Sequence, residues 1–371
     1  MTTKPPLCRG CPLETRGSGF GVPDGGFAKE VMFVGEALGR EEAETGTHFQ
    51  GLAGWQLATL LARSGLSRED IFVENVIHCR PPQNKLSHAP YEFGAINHCR
   101  PLLDGSITRL APKALVALGN IPMRRLTGQL GIMRYRGSVL DGPKGIPVVP
   151  TFHPSFLLPR RKEKSSAKWT GPVISDIRKA IRIAREGFTR RAPKYLLDPQ
   201  PERALRFVEE YERTPDCYLS WDIETPYKIQ KEDESQFGES TSADILRISF
   251  AFRVGYAMSV PWQVPWMPVI TRLLGSTRPM VGWNAKAFDI PVVREAGVEV
   301  NGELHDGMNA FHVWLPNLPK GLEFVTSLCS DHIKPWKHLN LAEPALYNCI
   351  DSDAALENFL HIERVLKGQQ L

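Results

Sequence analysis

Two sets of side chains in this 371-residue sequence have the types and spacing for chemistry. The first is sulfur. Cys8 and Cys11 form a C-x-x-C near the start, and Cys79 and Cys99 follow far downstream, each leading into Arg-Pro. Thiolates that converge from separate segments suit a metal ion or an iron–sulfur cluster. Seven cysteines in 371 residues are odd in number and sparse, which argues against a disulfide framework in a chain long enough to build hydrophobic cores. Zinc accepts four thiolates, whereas the Cys11-Pro12 step and the wide ligand spacing lean toward a [4Fe–4S] cluster. The second set is carboxylate: Asp222-Ile-Glu224, then Asn284-Ala-Lys-Ala-Phe-Asp289, then Tyr347-Asn-Cys-Ile-Asp351. On a strand, Asp222 and Glu224 share a face; on a helix, so do Tyr347 and Asp351. Three aspartates and a glutamate can hold two divalent cations about 4 Å apart, with the tyrosine orienting an attacking water. Hard oxygen ligands suit Mg2+ or Mn2+. Asp353 leaves that helix face, and His305-Asp306 and Trp336-Lys337 are at most auxiliary.

Further candidates lie in the first half. Gly35-Glu-Ala-Leu-Gly-Arg-Glu-Glu42 reads as a glycine-bracketed acidic loop after a strand. Its glycines let the backbone approach a ligand closely, and Glu36 and Glu42 are of a type that activates water. Phe49 follows in the same connection. Asn75, at a strand end, offers a donor and an acceptor on one amide, the pair that reads a pyrimidine carbonyl and imino N–H together. His153, past another strand end, is of a type to hydrogen-bond a leaving-group oxygen.

The elements that must position these residues alternate. Val31–Val34, ending at Gly35, Ile71–Ile77, Ala114–Leu118 and a run opening at Val148 read as buried strands, with helical spacing at Trp55–Arg63 and toward Arg185. This pattern predicts a mostly parallel sheet with helices on both faces, and a site at the carboxyl ends of its strands. Gly187, Pro193 and Pro199 punctuate 186–200 as a linker, which divides the chain into 1–190 and 191–371. A helix and the strand Tyr218–Glu224 follow. The polar stretches 159–168 and 229–243 read as loops.

Charge divides the same way. Residues 1–190 hold 27 Lys and Arg against 16 Asp and Glu, and residues 191–371 hold 18 against 25. A basic half implies a polyanionic partner, nucleic acid first. No stretch reaches 18 apolar residues and the N-terminus lacks an apolar core segment, so neither a membrane span nor a secretory signal is expected.

The fixed order of C-x-x-C, G-E-A-x-G-x-E-E, H-F-x-G-x-A-G, E-N-V-x-x-C-R-P-P-x-N, C-R-P, L-G-N and T-F-H-P-S closely resembles the family-four, iron–sulfur uracil-DNA glycosylases, over residues 7 to about 185. The resemblance implies a three-layer αβα domain. It also implies that Cys8, Cys11, Cys79 and Cys99 hold a [4Fe–4S] cluster of structural role. Glu36 and Glu42 would lie in the water-activating loop after Gly35, Phe49 would stack on an extruded uracil, Asn75 would read its edge, and His153 would stabilise its developing negative charge. Leu38 stands where that family carries proline. Residues 215–365 resemble the DEDDy-type 3′–5′ exonucleases, most closely the proofreading domain of family-A DNA polymerases, and Leu318–Val325 fits that family too. This implies an RNase H-like fold with a mixed sheet, with Asp222, Glu224, Asp289 and Asp351 on two Mg2+ or Mn2+ beside Tyr347. The expected protein is a bifunctional enzyme acting on single-stranded DNA or a 3′ end, in a bacterial or phage-infected cytoplasm, with any DNA polymerase a separate partner. The alternatives are a replication accessory whose first domain only binds DNA or uracil, and an RNA-processing exonuclease.

Overall fold

A computed structural model describes residues 4–22, 29–158, 166–226 and 244–368. The expected loop at 229–243, and most of that at 159–168, lie outside these residues. The chain forms two compact units, Met1–Thr189 and Arg190–Leu371.

The first unit is built on strands β1 (Val31–Ala37), β2 (Ile71–Ile77), β3 (Ala114–Leu118), β4 (Leu140–Asp141) and β5 (Pro147–Thr151), in the order β2-β1-β3-β5-β4. All pairings are parallel except β4 with β5. Every residue of β2 and β3 is buried, as parallel strands covered on both faces require. Ile96 and Leu103 of the helix Glu92–Leu110, with Ile121 and Met123 of the helix Asn120–Thr127, pack on Met32, Val34, Leu115 and Ala117. The helix Thr170–Glu186 packs on β1, β3 and β5. Its buried Asp176 pairs with Arg136 (Nε to Oδ2 3.1 Å) and accepts from Thr151 Oγ1 at 2.6 Å. These bonds lock the end of β5, the springboard of His153.

Two expectations are corrected here. The strand read as ending at Gly35 runs on through Glu36 to Ala37, and Arg40–Thr45 is helical, so the acidic loop shrinks to Leu38-Gly39. Pairing with β2 carries β1 onward, register Gly35 to Asn75 and Ala37 to Ile77; a local reading of glycine as punctuation misses such support. The two-residue β4 has no sequence signal of its own.

The second unit holds β6 (Lys194–Leu197), β7 (Leu219–Glu224), β8 (Arg247–Arg253), β9 (Tyr256–Pro261), β10 (Met280–Gly282) and β11 (Leu304–Asp306), ordered β11-β10-β7-β8-β9-β6. The sheet is mixed: β8 is antiparallel to both neighbours and the other pairings are parallel. Strand β6 falls within the stretch expected as a linker. It is a short edge strand with no buried residue, formed by backbone pairing with β9 and not by hydrophobic pattern. Phe207, Val208 and Tyr211 of the helix Pro201–Arg213 join Trp221, Phe250 and Met258 in one core. On the helix Pro344–Leu366, Cys349 and Leu356 pack on Ala251 and Ala257. Small side chains there let the helix lie close to the sheet and bring its polar residues over β7. Among the described residues no helix is long and apolar enough to cross a membrane.

Candidate functional site

In the first unit the four cysteines come from three places: the N-terminal turns (Cys8, Cys11), the segment after β2 (Cys79), and the helix Glu92–Leu110 (Cys99). All four are free thiols, and Cys8, Cys79 and Cys99 are buried. The N-terminal segment is clamped over them. Ser18 and Arg80 exchange backbone hydrogen bonds at 3.0 and 2.9 Å, Lys4 Nζ donates to the carbonyls of Leu13, Glu14 and Gly17, and His98 Nε2 meets Leu7 O at 2.7 Å. Gly17 is obligatory, because a Cβ there would meet Cys79 Sγ at 2.8 Å. Burial pushes the Cys79 thiol up to about 12 and the Cys99 thiol up to about 11, and the neighbouring cysteines add to both shifts. Deprotonation therefore calls for a bound cationic centre.

A cavity of about 350 Å³ opens beside the carboxyl end of the sheet, lined by Glu36, Glu42, Phe49, Asn75, His153 and Ser155 among others. The backbone at Phe49 is left-handed, with φ of 57°, a costly conformation for a large residue. Gly54 makes room for it: a Cβ there would lie 1.9 Å from Phe49 O. Gly35 forms the floor, since a Cβ would stand 2.3 Å from Asn75 Oδ1 and 2.7 Å from Phe49 Cζ. The Phe49 ring lies 5.8 Å from that of His153, tilted by 30°. Ser155 N donates to His153 Nδ1 at 3.2 Å, so the neutral ring carries its proton on Nε2. Burial holds His153 down at about 4, against the pull of Glu42; the ring is a neutral donor at physiological pH. Glu42 accepts from Gln50 N at 3.2 Å and Gly51 N at 3.4 Å. Glu36 sits on β1, its carboxyl pushed up by burial and by Glu92.

Asn75 is held from behind. Its Nδ2 lies 2.7 Å from His48 Nδ1, while its Oδ1 is buried with no hydrogen-bond partner. Behind it, Glu74 Oε1 is 3.3 Å from His48 Nε2 and 3.4 Å from His78 Nε2, all three side chains being buried. Sequence reading missed this trio. His48, Glu74 and His78 lie inside quoted motifs, but a sequence gives no sign that a residue of β2 and the histidine just after it meet a loop histidine.

In the second unit, carboxylate oxygens of Asp222, Glu224 and Asp351 lie within 4.8 Å of one another. Asp289 opens the helix Asp289–Glu295 and accepts from Ile223 N at 3.3 Å, which places it beside the same strand. Burial raises all four, and like charge adds to each, from fellow site carboxylates on Asp222, Glu224 and Asp351 and from Asp306 on Asp289: Asp222 well above its usual range, Glu224 to about 7, Asp289 to about 6 and Asp351 to about 8. A set so loaded with like charge fits divalent cations. Tyr347 is raised by burial and by Asp351, to which it is hydrogen-bonded. Two neighbours were not singled out as site residues. Asn348 Nδ2 donates to Asp222 Oδ2 at 3.0 Å, its own Oδ1 accepting from Ser259 at 2.8 Å, and Trp336 Nε1 donates to Asp351 Oδ1 at 2.8 Å. Asp353 instead accepts from Tyr195 Oη and Gly255 N, at 2.6 and 2.7 Å, tying the helix to the sheet. Asp306 caps the helix Gly307–Trp314.

Residues 22–174 match the uracil DNA glycosylase superfamily. The chain is 38% identical over 183 residues to a type-4 uracil-DNA glycosylase of Thermotoga maritima, across 48% of this chain and 91% of that protein. It is 37% identical over 147 residues to a type-4 uracil-DNA glycosylase of Sulfurisphaera tokodaii, across 37% and 65%. To that of Archaeoglobus fulgidus it is 34% identical over 162 residues, across 41% and 79%. Through its first unit, the chain belongs to the type-4 uracil-DNA glycosylase family.

Proposed function

We propose that the first unit hydrolyses the bond between uracil and deoxyribose in DNA, and that the second removes nucleotides from a DNA 3′ end with divalent metal. The observation that carries the first half is the pocket in which Phe49, Asn75 and a neutral His153 line one cavity. A base must leave the stack to be read there. Phe49 stacks on the extruded ring and Asn75 reads its edge. As C1′–N1 breaks, the electron pair leaves with the uracil, and His153 Nε2–H hydrogen-bonds the oxygen where that charge gathers. Glu42, fixed by two backbone amides, and Glu36 orient the water that closes on C1′ and take its proton. The [4Fe–4S] group would be held by Cys8, Cys11, Cys79 and Cys99 and would supply a cross-link between the N-terminal turns and the segment that follows Asn75.

Two tests belong to this half. His153 should add no inflection to the excision rate between about pH 5.5 and 8, because it stays neutral down to about 4. His153→Gln should lower the rate about 100-fold without adding an inflection. An inflection near 6.5 in the parent that the variant lacks would show a charged histidine instead. Cys79→Ser should lose iron and visible absorbance and melt several degrees lower; full iron content would mean that Cys79 is not a ligand.

The exonuclease half is supported by the meeting of Asp222, Glu224 and Asp351, with Asp289 and Tyr347 at its edge. Two Mg2+ or Mn2+ ions on these carboxylates would stabilise the attacking and leaving oxygens of an in-line displacement. Trp336 and Asn348 fix the orientation of Asp351 and Asp222.

A further inference from the structure

The trio behind Asn75 has no part in the chemistry above, yet it has the composition and spacing of a metal site. Ligands about 2.05 Å from a tetrahedral zinc stand about 3.3 Å apart. Glu74 Oε1 is 3.3 Å from His48 Nε2 and 3.4 Å from His78 Nε2. These separations also suit N–H···O contacts, and His48 acts on Glu74 as a hydrogen-bonding neighbour, but neither Nε2 reaches a well-aligned hydrogen bond.

The outer contacts fit the same arrangement. His78 Nδ1 faces Gly21 O at 3.2 Å. A carbonyl only accepts, so Nδ1 carries the proton and Nε2 is left with a bare lone pair toward Glu74. Glu74 Oε2 accepts from Ser106 Oγ at 2.9 Å, and Oε1 accepts from Asn75 N at 3.1 Å while facing the two rings. Histidine and carboxylate ligands oriented by such second contacts are the usual build of a zinc site. All three side chains are buried, with Phe20 stacked on the His78 ring at 5.7 Å, so bulk water cannot supply the missing partners.

We propose that His48, Glu74 and His78 bind a single divalent transition ion, Zn2+ by donor type, at a site separate from the four cysteines and from the carboxylates of the second unit. Ligation through His48 Nε2 places that ring's proton on Nδ1. The Asn75 amide then turns over, its Oδ1 accepts from His48, and its NH2 faces the pocket. The ion thereby decides which edge Asn75 offers to a base. This last consequence, unlike the site itself, rests on the uracil-binding reading.

The test is Co2+ titration of the full-length protein, its iron–sulfur centre intact, in an Asp222→Asn/Asp351→Asn background that removes the second unit's cation site. One equivalent should give visible Co2+ d–d bands of nitrogen and oxygen ligation without sulfur-to-metal charge transfer, and Zn2+ should displace it. Glu74→Gln keeps the side-chain size and should lower affinity at least 100-fold, and Ser106→Ala about 10- to 100-fold. Absence of the bands in the parent would overturn the proposal whatever the variants do. Bands unchanged in Glu74→Gln, or charge transfer showing that the ion sits on cysteine, would overturn it equally. Uracil excision measured beside these spectra keeps the two readings apart: a glycosylase-inactive protein that binds one Co2+ here loses only the first.

Discussion

Asp222→Ala should abolish shortening of DNA from its 3′ end, by about 1000-fold or more, and leave uracil excision within about twofold. The size follows from what Asp222 does: its side chain belongs to the central carboxylate group and receives Asn348. Removing a ligand from a two-metal centre forfeits several kcal/mol of charge stabilisation, and about 4 kcal/mol is a thousandfold in rate. A second readout guards against misfolding. Without metal, the raised carboxyls make the native state bind more protons than the unfolded chain between about pH 4 and 8, so the sign of linkage is reversed from the usual acid loss. The metal-free parent should gain stability as pH falls from 8 toward 5, and Mg2+ should flatten that slope. Asp222→Asn should weaken the pH dependence, since it removes one of the raised carboxyls. Loss of both activities in Asp222→Ala would contradict the division of labour between the units.

Asn75→Ala should lower uracil excision about 100- to 1000-fold while binding of undamaged DNA stays within a few-fold. A site built to hydrogen-bond a substrate loses heavily when one partner goes, and the Asn75 Oδ1 that nothing satisfies is already buried at the cavity wall. DNA affinity comes chiefly from phosphate contacts made elsewhere by basic side chains. Asn75→Asp separates size from hydrogen bonding. It keeps the shape but replaces the amide with a carboxyl, which cannot offer a donor and an acceptor together, and should be nearly as slow as alanine. Retained excision in either variant would mean that another group reads the base.

The legibility of these sites followed local geometry. Asp222 and Glu224 could be paired because strand alternation fixes their common face, and Tyr347 with Asp351 because a helix turn does. Asp353 left that face for the same reason, and the structure finds it bonded to Tyr195 and Gly255. What escaped was set by pairing at a distance. Gly35 and Glu36 read as loop, yet strand β1 continues through them because β2 supports it. The edge strand Lys194–Leu197 exists because β9 offers it a partner. His48 and His78 are 30 residues apart, and only the crossing of a loop over β2 brings both to Glu74. Asn348 acts through a hydrogen bond to a carboxylate, which no spacing rule announces, and Trp336, read only as auxiliary, does the same.

The central claim, two chemistries in one chain, is tested most directly with purified protein and 5′-labelled single-stranded DNA bearing one uracil. Incubation in EDTA should give alkali-labile cleavage at the uracil and no shortening. Added Mg2+ or Mn2+ should bring stepwise loss from the 3′ end. DNA left intact in EDTA and shortened with metal would reduce the first unit to a binding module, and uracil cleavage with no shortening under any metal would remove the exonuclease.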